Sequence, residues 1–212
     1  MESATLVQAL NLLGTLVFAL SGAAAGVRQR MDIFGVLVLA FVTAVAGGDL
    51  RDLLIGATPP ASVTNWHALA ISAAGGLFAF WFSAVIDRLR FPVELFDAAG
   101  LGIFATTGTQ KALEYGIPPV MATILGMVTG IGGGMVRDLL SVRMPIVLYS
   151  EFYAMAALAG SAVVTVGHAL GMPVAATLLP GTALCVLLRV LALYHGFSLP
   201  QPRRRDDEPS DR

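Results

Sequence analysis

Residues 46–54 read Ala-Gly-Gly-Asp-Leu-Arg-Asp-Leu-Leu, and residues 132–140 read Gly-Gly-Gly-Met-Val-Arg-Asp-Leu-Leu. Each copy closes a long apolar run and places glycines one turn ahead of an Arg-Asp pair. Glycine lets a helix kink or lets a second backbone come close. Arg and Asp are the residues hydrocarbon tolerates least, so they are expected there only for function or pairing. The copies lie 86 residues apart, and the correspondence runs well beyond them. Aligned without gaps, residues 18–54 and 104–140 agree at 12 of 37 positions, among them Phe18 with Phe104, Gly22 with Gly108 and Thr43 with Thr129. Upstream, Asn11 corresponds to Asp97 and Gly14 to Gly100; downstream, Pro59 corresponds to Pro145. Glycines and charges in register are not what chance overlap of apolar runs produces, so the chain is an internal duplication.

The 212 residues are 56% hydrophobic and only 13% charged, with a mean hydropathy of +0.77. A soluble domain carries about a quarter charged residues, so this is an integral membrane protein. Cys185, the single cysteine, excludes an intramolecular disulfide and a cysteine-based metal site. The first apolar run resembles a signal peptide where it ends in Ser21-Gly22-Ala23-Ala24-Ala25. Met1-Glu2-Ser3 offers no positive leader, however, so the run is expected to stay as a mature helix.

Seven apolar segments follow, at about 4–26, 33–55, 66–86, 93–114, 118–140, 151–170 and 173–195. Each approaches the roughly 20 residues that cross the hydrocarbon layer. The fourth is interrupted by Asp97, Lys111 and Glu114 but is secured by its match to the first. The expected fold is all-α: seven transmembrane helices as two three-helix repeats (about 4–86 and 93–170) plus one extra helix. The odd number of crossings per repeat inverts the second copy relative to the first. Residues 1–198 form one domain, and 199–212 a disordered cytoplasmic tail. Lys and Arg collect on one side: Arg28, Arg30, Arg88, Arg90, Arg137, Arg143, Arg203, Arg204, Arg205 and Arg212 against Arg51 and Lys111. The N-terminus is therefore expected outside and the C-terminus in the cytoplasm, in the inner (plasma) membrane. Trp66, His67 and Trp81 suit the interfaces.

The candidate site residues are the charges within these segments: Asp49, Arg51, Asp52, Asp97, Lys111, Arg137 and Asp138. Gly47, Gly48, Gly132, Gly133 and Gly134 either break their helices or pack them closely. Neighbours on a helix point about 100° apart, so neither Arg is expected to fold onto the next Asp; each should pair with another helix or face a wet cavity. Asp49 and Asp52 share a face, whereas Met135 stands where the second copy would carry the first acid. Lys111 is either a pore-facing charge or a snorkelling anchor. Arg189 is expected to snorkel toward the cytoplasmic end of the last helix. The pairs Gly22/Gly26 and Gly126/Gly130 read as packing faces. His67, His168 and His195 are scattered and no nucleophile or phosphate-loop motif occurs, so no enzyme, cofactor or nucleic-acid partner is expected.

The doubled Gly-Gly-x-x-Arg-Asp, the segment Phe104-Ala105-x-x-Gly108-x-x-Lys111-Ala112-Leu113 and the 3+3+1 plan resemble the prokaryotic trimeric intracellular cation channels over about residues 5–195. The resemblance implies a homotrimer embedded in membrane lipids, with one pore in each protomer. It places the second and fifth helices around that pore, kinked at residues 47–48 and 132–134, and implies a permeant monovalent cation, mainly potassium. Read from the residues alone, inverted repeats with broken helices suit a secondary transporter of a small zwitterion such as an amino acid at least as well. A reporter fused after Ser198 should register cytoplasm and one inserted near Thr64 the outer side. Two reporters on the same side would refute the seven-helix count.

Overall fold

The computed structural model describes residues 2–83, 92–148 and 151–195. Arg88, Arg90, the end of the third segment (84–86) and the tail expected over 199–212, with its arginines, lie outside the described residues. The described chain forms α1 (Glu2–Arg28), α2 (Ile33–Leu54), α3 (Ala61–Thr64), α4 (Trp66–Trp81), α5 (Pro92–Glu114), α6 (Pro119–Leu140), α7 (Glu151–Ala169) and α8 (Val174–His195), with a 3-10 turn at Ile146–Leu148. Each of the seven apolar segments carries one of the longer helices. The short α3 and the 3-10 turn escaped the sequence reading, because both lie in proline-bounded chain after the Arg-Asp copies.

The duplication is visible in how the helices end. α1 stops at Arg30 (φ 57°) and α5 at Gly116 (φ 76°); α2 stops at Gly56 (φ 75°) and α6 at Val142 (φ 53°). Each pair lies 86 residues apart. The next amide then donates to a carbonyl five residues back: Met31 to Gly26, Ile117 to Ala112, Ala57 to Asp52 and Arg143 to Asp138, at 2.8–3.1 Å. This is the left-handed C-terminal close that glycine adopts without steric penalty. Arg30 and Val142 hold the same geometry with a Cβ. At its start, α2 is capped by Asp32, whose carboxylate accepts from the Gly35 amide at 2.8 Å.

α1, α2 and α4 pack together, as do α5, α6 and α7, with α8 against α7 and α5. The two groups meet along α1–α5 and α2–α6. Contacts across this seam come in exchanged pairs. A Cβ on Gly47 would run into the Thr129 carbonyl oxygen, and one on Gly133 into the Thr43 carbonyl oxygen. A Cβ on Gly14 would press on Ile103 and Phe104, and one on Gly100 on Phe18; the Phe18 and Phe104 rings stack 5.3 Å apart between them. α2 and α6 remain helical through both glycine clusters.

Among the described residues, five helices are long and apolar enough to cross a membrane, namely α1, α2, α6, α7 and α8. α4, at 16 residues, is short. α5 is too polar by the same measure, yet it is the most enclosed helix: residues 100–110 are buried without a break. Thr106, Thr107 and Thr109 return their hydroxyls to carbonyls one turn back, so the helix satisfies these hydroxyls itself.

The glycines are therefore not equivalent. A Cβ on Gly48 would meet only the Arg51 guanidinium, at 3.7 Å, whereas Gly47 and Gly133 abut backbone. Gly48→Ala should leave the melting temperature of the detergent-solubilised protein unchanged. Gly47→Ala and Gly133→Ala should each cost about 1–3 kcal/mol by overpacking. Equal stability of all three variants would remove the close crossing.

Candidate functional site

The two Arg-Asp copies fall at opposite ends of the helical assembly and build related but unequal clusters. At the end where α1 begins and α2 finishes, Asp52 is 1% exposed. Arg51 Nε and Nη2 donate to its Oδ1 at 2.9 and 2.7 Å, and Lys111 Nζ donates to the same oxygen at 2.8 Å. The Ala61 amide, brought back by α3, donates to Oδ2 at 3.2 Å. One turn earlier, Asp49 Oδ2 accepts from the Ser62 hydroxyl at 2.7 Å. Lys111 Nζ also stands 5.9 Å from the Tyr115 ring centre.

At the other end the central group is a base. Arg137 is 1% exposed; its Nε donates to Asp138 Oδ1 at 2.9 Å, and its Nη1 donates to Asp97 Oδ1 and Ser21 Oγ, both at 2.6 Å. Its Nη2 stands 2.8 Å from the same Asp138 oxygen, an ion-pair contact without hydrogen-bond geometry. The Ile146 amide donates to Asp138 Oδ2 at 3.1 Å, the counterpart of the Ala61 contact. One acid between two bases at the first end thus answers one base between two acids at the second.

Two expectations need correction. Each Arg does fold onto the Asp that follows it: the arginine stem has enough rotatable bonds to carry the guanidinium round the helix, and the fork then meets the carboxylate through two nitrogens. Arg189 does not snorkel. It is 3% exposed, with its guanidinium carbon 4.9 Å from the Tyr153 ring centre, so the ring rather than solvent shelters it.

A cavity of about 490 Å³ opens at the first end. α1 contributes Gln8, Asn11, Leu12 and Thr15, and α2 contributes Gly48, Asp49, Arg51 and Asp52. Lys111, Glu114 and Phe104 line it from α5. Phe104 is ten residues above the end of α5, so the cavity follows that helix for roughly 15 Å at 1.5 Å per residue. Of the sequence-derived site residues, Asp49, Arg51, Asp52 and Lys111 share this cavity, while Asp97, Arg137 and Asp138 form the buried cluster at the other end. Gly48 lines the cavity; Gly47, Gly132 and Gly133 form the α2–α6 crossing, and Gly134 faces Asp97 and Tyr153. Ser21, Ser62 and Tyr153 were missed, being uncharged residues with no motif around them. Among the described residues, no group of three or more His, Cys, Asp or Glu is placed to hold a metal ion.

Long apolar helices closed at both ends by buried charge clusters define a polytopic membrane protein. A family model described as "Glycine transporter" matches residues 8–84 and 94–169, and the chain belongs to that family. A "UPF0126 membrane protein" of Deinococcus radiodurans is 46% identical over 73% of this chain and 73% of its own length. The "UPF0126 inner membrane protein YadS" of Escherichia coli K12 is 34% identical over 92% of this chain and 95% of its own. The solved trimeric intracellular cation channel orthologue from Rhodobacter sphaeroides superposes with a TM-score of 0.87 at 35% identity, covering 91% of this chain and all of the other.

The two clusters should respond differently to loss of one member. Arg137→Gln leaves Asp97 and Asp138 buried without their base and should lower stability by about 3–5 kcal/mol. Lys111 has a 27% exposed side chain and shares Asp52 with Arg51, so Lys111→Gln should cost no more than about 1 kcal/mol. Thermal unfolding in detergent measures both, and a larger loss for Lys111→Gln would reverse the assignment.

Proposed function

We propose that the protein is a monovalent cation channel, passing mainly potassium, with one conduit in each protomer of a homotrimer. The observation that supports it is a cavity between α1, α2 and α5 that carries Asp49, Arg51, Asp52 and Lys111 on otherwise largely apolar walls, in a chain whose fold matches solved cation channels. In this reading the seven long helices cross the membrane as two inverted three-helix repeats plus α8, all within one domain of residues 1–198. The N-terminus and the cavity face outward, and the C-terminus faces the cytoplasm. α2 and α6 frame the path and flex at residues 47–48 and 132–134. Asp49, Arg51, Asp52 and Lys111 stand at the outer mouth; Asp97, Arg137 and Asp138 stand at the inner one. Fixed charge at each mouth sets the local ion concentration, an effect that salt screens over about 10 Å at 0.1 M. Membrane lipids are the only other partners and no cofactor takes part.

A second reading has its own support. The family is described as a glycine transporter, and Asp49 and Lys111 on the walls of one cavity suit the amino and carboxylate ends of a small zwitterion. Purified protein in a planar bilayer separates the two. A channel gives resolvable unitary potassium steps, whereas a carrier gives none and instead exchanges labelled glycine across proteoliposomes. Glycine exchange without unitary current would overturn the channel.

A further inference from the structure

We propose that Thr109, Ser161, Thr165 and Thr123 are positioning residues: their hydroxyls fix the back of α5 so that its front keeps Lys111 on Asp52. The bearing on conduction rests on Lys111 standing at the outer mouth. The placing of Lys111 itself is a matter of geometry and is tested as such.

Residues two apart on a helix point about 200° from one another, so Thr109 and Lys111 leave α5 on opposite sides. Lys111 reaches across the seam to Asp52 of α2, at 2.8 Å. Thr109 is fully buried and turns toward α6 and α7. A Cβ on Gly126 would run into its Oγ1 and would lie 2.8 Å from Ser161 Oγ. The Ser161 hydroxyl donates from α7 to the Ala105 carbonyl of α5 at 3.3 Å, an acceptor that Thr109 shares at 2.8 Å. One turn along α7, Thr165 Oγ1 pairs with Thr123 Oγ1 of α6 at 2.7 Å. Hydroxyls thus join α5, α6 and α7 behind the lysine.

The first copy lacks both the charge and the hydroxyls. Lys111 corresponds to Ala25, Thr109 to Ala23, Ser161 to Gly75, Thr165 to Ala79 and Thr123 to Leu37. Gly126, which makes room for Thr109, corresponds to Ala40. The register holds in space: a Cβ on Gly75 would stand 3.4 Å from Ala19 Cβ, and Ser161 meets Ala105, the counterpart of Ala19. Two copies of one backbone plan act as controls for each other, so a feature carried by one is not demanded by the shared fold. Nor does α8 call for these hydroxyls. It meets α7 where Gly160 and Gly181 face each other and α5 where Thr106 pairs with Thr182 at 2.7 Å. The copy with the hydroxyls is the copy whose first helix ends in a charge that must be placed. A lysine stem is costly to order, and an α5 free to shift would release it.

Lys111 is the only lysine in the chain. Acetylation by a water-soluble N-hydroxysuccinimide ester, followed by peptide mass on detergent-solubilised protein, therefore reports it apart from the N-terminal amine. Asp52→Asn, which removes the partner, should raise the rate and set its ceiling. Ser161→Ala combined with Thr165→Val should raise it about fivefold, since each interhelical hydroxyl bond in a membrane is modest. Thr165→Ser keeps the hydroxyl and should react like the unaltered protein. So should Thr177→Val, which removes a buried hydroxyl that bonds only within α8. A melting temperature lowered in the double variant with no change in rate overturns the proposal, as does equal acceleration by Thr177→Val. An unchanged rate in Asp52→Asn overturns the ion pair as the thing positioned. Should the double variant fail to assemble, Ser161→Ala and Thr165→Val are read singly by the same criteria. Ion flow does not enter the readout, so this result and the channel reading fail separately.

Discussion

A guanidinium shut away from water can find acceptors only in protein, and Arg137 draws its hydrogen bonds from three helices. Asp138 lies on its own helix, Asp97 on α5 and Ser21 on α1. These contacts tie the second group of helices to the first at the end where their helix ends converge, reinforced by Gln29 donating to the Ser141 carbonyl at 2.8 Å. A buried pair of this kind adds little net stability over an apolar substitute, because both charges are desolvated. What it does supply is a set of directional contacts that join α1, α5 and α6 in this register.

Register at the middle of the molecule is set by absence of side chains instead. Gly47 against the Thr129 carbonyl and Gly133 against the Thr43 carbonyl bring two backbones together where any Cβ would hold them apart. The stacked Phe18 and Phe104 lie beside the crossing. Small residues hold the middle of the seam, and the charge clusters stand at its two ends.

The helices themselves were legible because each is a long apolar run with its own stop, and the repeat identified α5 where its polar composition argued against a span. The Asp49–Asp52 face was legible from spacing alone, and both side chains line the cavity. The return of backbone amides from Ala61 and Ile146 onto Asp52 and Asp138 was not, since it depends on how the chain folds after each helix rather than on side-chain identity. The Arg-to-next-Asp contacts were misjudged because Cβ direction was taken for the direction of the whole side chain. For Arg189, nearness to a helix end was taken for access to water, whereas α7 lays Tyr153 across it.

The polarity of α5 has a consequence for how the protein is made. With Glu94, Asp97, Gln110, Lys111 and Glu114 along its length, α5 is a poor candidate for release into lipid as a lone segment during synthesis. Its enclosure by α1, α6, α7 and α8 exists only after the chain has been translated to its last helix. The packing that shelters α5 is therefore complete only once α8 has been made, so the core closes last.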